Sequence, residues 1–231
     1  MTRTEPAIRV WPAQGQTEAV VLVLHGGREH GRRPVHALSL AYLRMVPIAK
    51  AIARASAHRG VATWLLRDLV QGWNAPDLSP VADARWALER IRRRHPGVPI
   101  LLVGHSMGGR VALRVADDEA VTAVCALAPW TPPGEPVDQL GGRLVLIAHG
   151  DADRVTDPRE SYAYATRAKA VTDRVLRYDV RGEKHAMLLR AKDWNRLVTR
   201  FVLGALELEP FEVDVTKAMT QPAPGGLRIP L

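Results

Sequence analysis

The stretch Leu101–Ala116, LLVGHSMGGRVALRVA, decides how this chain folds. An apolar run stops at Gly104, a lone serine follows at Ser106, and apolar positions with helical spacing begin at once. A strand that turns directly into a helix holds its corner residue in a strained backbone conformation, so the positions two before and two after it must be small. Gly104 and Gly108 stand at those positions. Such a corner lifts the Ser106 hydroxyl above the sheet edge and aims the positive end of the next helix at it. The pattern Gly-x-Ser-x-Gly is common by chance. Here the preceding PILLV and the following GRVALRVA supply the strand and the helix that give it meaning.

Working outward, similar apolar runs recur: AVVLVLH (19–25), VATWLLR (61–67), VPILLVG (98–104), AVTAVCALAP (120–129), RLVLIAHG (143–150) and DRVLRYDV (173–180). Most lack alternation, as expected of strands covered on both faces of a parallel sheet. Helical spacing fills the intervals at about 37–58, 80–95, 106–117, 157–170 and 186–204. Alternating strands and helices with short connections predict an α/β fold, a mostly parallel sheet with helices on both faces. The opening AIRVWPAQGQTEAVVLVL has no helix between its two runs and predicts an antiparallel hairpin at the sheet edge. Ser79 before Pro80, and Asp157 before Pro158, are candidate helix caps.

The 231 residues suit one domain, placed at 1–205. The remaining 206–231 lose the helical period and gain proline and glycine, which reads as a tail lying on the surface or reaching a neighbouring subunit. Hydrophobic residues make up 47% and charged ones 24%, the balance of a soluble globular protein. The single cysteine, Cys125, sits in an apolar run and has no partner in the chain, so it reads as an inert buried thiol. The N-terminus lacks the apolar core of a signal peptide, and no apolar run approaches membrane-spanning length. A cytoplasmic protein without a membrane partner is expected.

A formal net charge of +8 raises the question of a polyanionic partner. The arginines are scattered, and the densest group, in ERIRRRHPG (89–97), ends a helix where cations meet the negative dipole end. No aromatic residues interleave with it to stack bases, and no helix-turn-helix or finger pattern is present. Nucleic acid is therefore not an expected partner.

With the serine corner in this setting, the chain over about 20–205 resembles the α/β-hydrolase superfamily, and serine esterases and lipases within it. The resemblance implies a nucleophile, an acid and a histidine in that chain order. Ser106 is the nucleophile; a serine hydroxyl needs a base within reach. Eight histidines compete. His185, in GEKHAML after the last predicted strand, stands where the family carries its catalytic histidine. His105 is expected to point the other way, His25 to be structural, and His149 to begin the acid loop; His30, His36, His58 and His95 fall in surface segments. The acid loop LVLIAHGDADRVTDP offers Asp151, Asp153 and Asp157. The family pattern His-Gly-x-x-Asp-x-Val matches His149, Gly150, Asp153 and Val155, which implies Asp153, with Asp151 second and Asp157 left as a cap.

Acyl transfer needs two backbone N–H donors for its oxyanion. The resemblance assigns them to Met107, after the nucleophile, and to Gly27 in LHGGREHG (24–31), which is similar to the His-Gly-x loop of the family. HGGREH is also similar to the monoacylglycerol-lipase branch, while the triple glycine of esterases acting on tertiary alcohols is missing. The segment APWTPPGEPVDQLGG (128–142) is too short for a helical cap, so an open, lidless site of dienelactone-hydrolase size is expected. Asp68, in RDLVQGWN, is expected to brace its loop. Two readings stand for Trp73 and Trp130: walls of a small acyl or alcohol pocket, or core and rim packing. The resulting expectation is a cofactor-free, metal-free Ser-His-Asp hydrolase of small to medium carboxylic esters or thioesters. A peptidase or amidase of the same fold, and a binding module on a disabled scaffold, are the alternatives.

Overall fold

The computed structural model describes residues 4–231. The chain runs β1 (Ala7–Trp11), β2 (Ala19–Leu24), α1 (Leu40–Ser56), β3 (Val61–Arg67), α2 (Ser79–Arg94), β4 (Ile100–His105) and α3 (Met107–Arg114), then β5 (Val121–Leu127) and β6 (Leu144–Gly150). It continues with α4 (Pro158–Ala168), β7 (Val175–Val180), α5 (Ala191–Ala205), α6 (Val213–Thr220) and β8 (Ile229–Pro230). One sheet takes the order β1-β3-β2-β4-β5-β6-β7-β8. Only the β1–β3 pair is antiparallel; every other neighbouring pair is parallel.

The continuous apolar runs have the expected cause. Along β2, Val20, Leu22 and Leu24 face a core shared with α2, α3 and α4, while Val21 and Val23 face a second core built on α1 and α5. Successive side chains on a strand point to opposite faces, so a strand covered on both sides must be apolar at every position. Cys125 is fully buried in the second core, and burial pushes its thiol up, away from the reactive thiolate.

The sheet edge is antiparallel as expected, but β1 does not fold back on β2. It pairs with β3, Ala7 opposite Arg67 and Trp11 opposite Thr63. Both sides of β2 are taken by β3 and β4, which leaves the outer side of β3 as the open edge. Ser79 is also not a cap: Leu78, at φ +49°, precedes the helix, and the Ser79 hydroxyl instead accepts from the Asn74 amide at 3.2 Å. Asp157 does cap α4, accepting from the Arg159 N–H at 2.9 Å.

The segment beyond α5 lies against the sheet. Its β8 extends the sheet beside β7, with Tyr178 opposite Ile229, and Leu227 and Met219 are buried. The Arg177 N–H donates to the Gly226 carbonyl at 2.8 Å. Because β2 to β7 are parallel, each loop leaving their carboxyl ends emerges at one edge of the sheet, where sites of open α/β sheets form. The loops after β2, β4, β6 and β7 carry Gly27, Ser106, Asp153 and His185 to that edge.

Candidate active site

Ser106 joins β4 to α3 at φ +56° and ψ −119°, a conformation costly for a residue with a Cβ. The surrounding backbone holds it there: its N–H donates to Leu127 O at 2.9 Å, and its carbonyl accepts from the Arg110 and Trp130 N–H groups at 3.1 and 3.2 Å. The flanking glycines are required. A Cβ at Gly104 would collide with the Gly108 carbonyl, and one at Gly108 would lie 2.5 Å from His25 O.

His185 arrives from the loop after β7, and its Nε2 lies 2.9 Å from Ser106 Oγ. Its Nδ1 lies 2.7 Å from Asp153 Oδ2. Serine, histidine and carboxylate therefore form one hydrogen-bonded line. The carboxylate that meets His185 is Asp153; Asp151 instead accepts from the Gly182 N–H at 2.7 Å, bracing the histidine loop.

Asp153 is saturated with donors. Oδ1 accepts from the Val155 and Thr156 N–H groups at 2.7 and 3.1 Å. Oδ2 faces His185, the Thr156 hydroxyl at 2.9 Å and, on its far side, His149 Nε2 at 3.2 Å. Burial pushes the carboxyl up, but the hydrogen bonds from His149, His185 and the Val155 amide outweigh it and hold the group far below the usual carboxylate range. It is a carboxylate at any working pH.

His105 was expected to point away. It makes no hydrogen bond to Ser106, yet its ring lies 4.9 Å from that of His185, and its Nε2 lies 2.9 Å from His185 O. Carbonyl oxygen only accepts, so Nε2 carries the proton. Burial, then the proximity of His185, pushes the His105 pKa down to about 3, which keeps this ring neutral. Glu183, unremarked in the sequence, is fully buried and organises the histidine loop. It accepts from the Lys184 and Arg190 N–H groups at 2.9 and 2.7 Å and from Trp194 Nε1 at 3.1 Å. Its contacts span the loop and α5, so no local pattern announces it.

The two oxyanion candidates are neighbours. Met107 is the first residue of α3, where a backbone N–H has no partner within the helix. Gly27 packs on the Met107 side chain so closely that a Cβ there would strike its terminal methyl. The Gly27 loop is laced to the segment after β3: the Arg28 N–H donates to Gln71 O at 2.9 Å, and Asn74 accepts from the Gly31 N–H at 2.9 Å. His25 donates through Nδ1 to Gly26 O at 2.6 Å and accepts the Asp68 N–H at 3.1 Å, which ties the start of RDLVQGWN to the strand end that leads into the Gly27 loop.

Trp73 is buried in the core and Trp130 half-buried beside it. The Arg110 guanidinium lies between their rings, 3.9 and 4.3 Å from the centroids, and pairs with the buried Glu135 at 2.6 Å. Both indoles thus pack the flank of α3. Among the described residues, no group of three His, Cys, Asp or Glu side chains is placed to hold a metal ion, and no helix is long and apolar enough to cross a membrane.

Solved structures share this architecture. Est1E from Butyrivibrio proteoclasticus with bound ferulic acid superposes with a TM-score of 0.68 at 16% identity, covering 87% of this chain and 96% of that one. A monoacylglycerol lipase from Paleococcus ferrophilus gives 0.65 at 14% identity over 87% and 100% of the two chains. A serine hydrolase without lid from Xanthomonas campestris gives 0.61 at 18% over 91% and 98%. At such identities the likeness is one of fold. No curated protein sequence matches the chain. The sequence model of the alpha/beta hydrolase family, however, matches residues 20–228, from the first parallel strand almost to the last. A match of that extent, on a sheet of this order without an inserted cap, makes the chain a member of the α/β-hydrolase family.

Proposed function

We propose that this hydrolase cleaves carboxylic esters, or thioesters with the same acyl carbonyl, through a covalent acyl-enzyme. The observation that carries the reading is the unbroken line from Ser106 Oγ through His185 to Asp153, at 2.9 and 2.7 Å. In the first half-reaction His185 Nε2 takes the Ser106 proton as the oxygen attacks the carbonyl carbon. The Gly27 and Met107 amides receive the oxyanion. His185 then protonates the leaving alcohol, and the acyl group remains on Ser106. Water, deprotonated by the same nitrogen, attacks the acyl-enzyme, and His185 returns that proton to Ser106 Oγ as the acyl–oxygen bond breaks and the acid leaves.

Two features favour small to medium esters over peptides. The connection from β5 to β6 contains only a short turn of helix at Asp138–Leu140, which leaves no platform from which acidic side chains could hold a free amino terminus. The fold neighbours include one protein holding ferulic acid and one monoacylglycerol lipase, in keeping with carboxylic ester chemistry.

The test is mass-spectrometric mapping of a fluorophosphonate adduct, with Ser106→Ala as control, followed by nitrophenyl esters of graded chain length beside aminoacyl amides. A single adduct on the Ser106 peptide and faster turnover of short esters are expected. No adduct in folded protein would overturn the reading and favour a binding scaffold; preferred amide turnover would replace esterase with amidase.

A further inference from the structure

The hydrogen-bonded line does not end at Asp153. Behind the carboxylate stands His149, the last residue but one of β6 and fully buried. Its Nε2 lies 3.2 Å from Asp153 Oδ2 and 3.2 Å from Thr156 O, and its Nδ1 lies 2.8 Å from Ser161 Oγ. A carboxylate and a carbonyl only accept, so Nε2 must carry a proton. Ser161 can serve Nδ1 in either state, since its hydroxyl donates to a neutral ring or accepts from a charged one. The one Ser161 hydroxyl proton goes either to His149 Nδ1 or to Pro158 O at 3.0 Å, and Arg177 Nε donates to the hydroxyl oxygen at 3.3 Å. Arg177, buried on β7, also donates to Leu227 O in the C-terminal segment.

We propose that His149 is a positioning residue for the reaction: a second imidazole that donates to Asp153 opposite His185 and so sets how strongly the carboxylate holds the His185 Nδ1 proton. This rests on the assignment of Ser106, His185 and Asp153 as the reacting line. Oδ2 receives three donors, and they share its electron density. Removing His149 leaves more of that density to His185, which makes the His185 imidazolium easier to form and harder to discharge. The anchor of His149, from Ser161 to Arg177 to Leu227, ties the setting to the docking of the C-terminal segment. The charged and titratable groups around this line are Asp153 and Asp157 on the acid loop, His105 on β4, Arg177 and Asp179 on β7, and His185 itself.

The experiment is ring-nitrogen NMR of the full chain, following the His185 titration in wild type, His149→Leu and His149→Gln, with kinetics alongside. In His149→Leu the His185 midpoint should move up by roughly half a pH unit. The acid limb of the pH–rate profile should move with it, and kcat should fall about threefold at constant KM, the fold-change that half a unit corresponds to. His149→Gln keeps one N–H donor and should recover most of both effects. An unchanged midpoint in folded His149→Leu would overturn the proposal and leave His149 as packing alone. Should His149→Leu fail to fold, Ser161→Ala removes one oxygen a bond further out and must shift the midpoint in the same direction, by less; no shift there overturns the proposal equally. The midpoint is read without substrate, so a wild type that takes no fluorophosphonate would sink the esterase reading separately.

Discussion

Replacing Asp153 with asparagine puts the site under the most specific strain. Oδ1 can stay as an acceptor for the Val155 and Thr156 N–H groups, but the new NH2 group takes the place of Oδ2. There it meets three donors: His185 Nδ1 at 2.7 Å, the Thr156 hydroxyl at 2.9 Å and His149 Nε2 at 3.2 Å. The Thr156 hydroxyl can turn to Ala128 O, 3.3 Å away, and His185 can change tautomer so that Nδ1 accepts. That second adjustment puts the ring proton on Nε2, facing Ser106, and leaves no base. Tautomer inversion of this kind costs about 10⁴-fold in kcat, some 5.5 kcal/mol of transition-state stabilisation. His149 Nε2 keeps the Thr156 carbonyl, 3.2 Å away, as its acceptor, so its lost bond to Oδ2 should cost only about 1 kcal/mol of stability. The assay is kcat/KM for a nitrophenyl acetate between pH 5 and 9, with thermal unfolding of the same preparation. Asp153→Asn that folds and keeps more than a tenth of wild-type activity would refute the reasoning, because His185 would then find its tautomer without the carboxylate.

Further outcomes follow from the same geometry. Gly108→Ala drives a Cβ against the His25 and Leu24 carbonyls, backbone that cannot swing aside, so expression and chemical denaturation should show a loss of more than about 3 kcal/mol or no folded protein. Glu183→Ala strips the Lys184, Arg190 and Trp194 donors of their buried acceptor. Urea titration should give a loss of about 2–4 kcal/mol, and kcat should fall as the loop carrying His185 loosens. Because the Asp153 carboxyl is held below its unfolded value, its contribution to stability is whole above about pH 4 and shrinks as acid protonates the unfolded chain. Acid titration of stability should therefore fall more steeply below that pH in wild type than in Asp153→Asn; equal slopes would contradict the depressed value.

Much of the fold was legible because its determinants are local. The unbroken apolar runs from β2 to β7 exist because each strand is covered on both faces, and the helices between them carry their own period. The β1 partner was not legible: a short strand records which face is apolar but not which edge is vacant. That β3 rather than β2 receives it depends on both sides of β2 being filled. The Ser79 cap failed for a similar reason, since Asn74 bridges from the Ser79 hydroxyl to the oxyanion loop and a left-handed Leu78 makes the turn.

By itself the sequence determined what a few adjacent residues can settle. Gly104 and Gly108 allow the strained corner at Ser106, and Asp153 finds two of its donors within three residues, because a tight turn brings its own amides to the side chain. Only the tertiary structure decided that His185 spans the distance between Ser106 and Asp153, that His105 holds the His185 carbonyl, that Glu183 fastens the loop, and that His149 stands behind the acid. The contacts of His185 and His105 join residues 32 to 80 positions apart. Parallel strands bring such residues to one edge while their neighbours in sequence face elsewhere, so the identity of a partner is settled by packing and hydrogen-bond satisfaction in space.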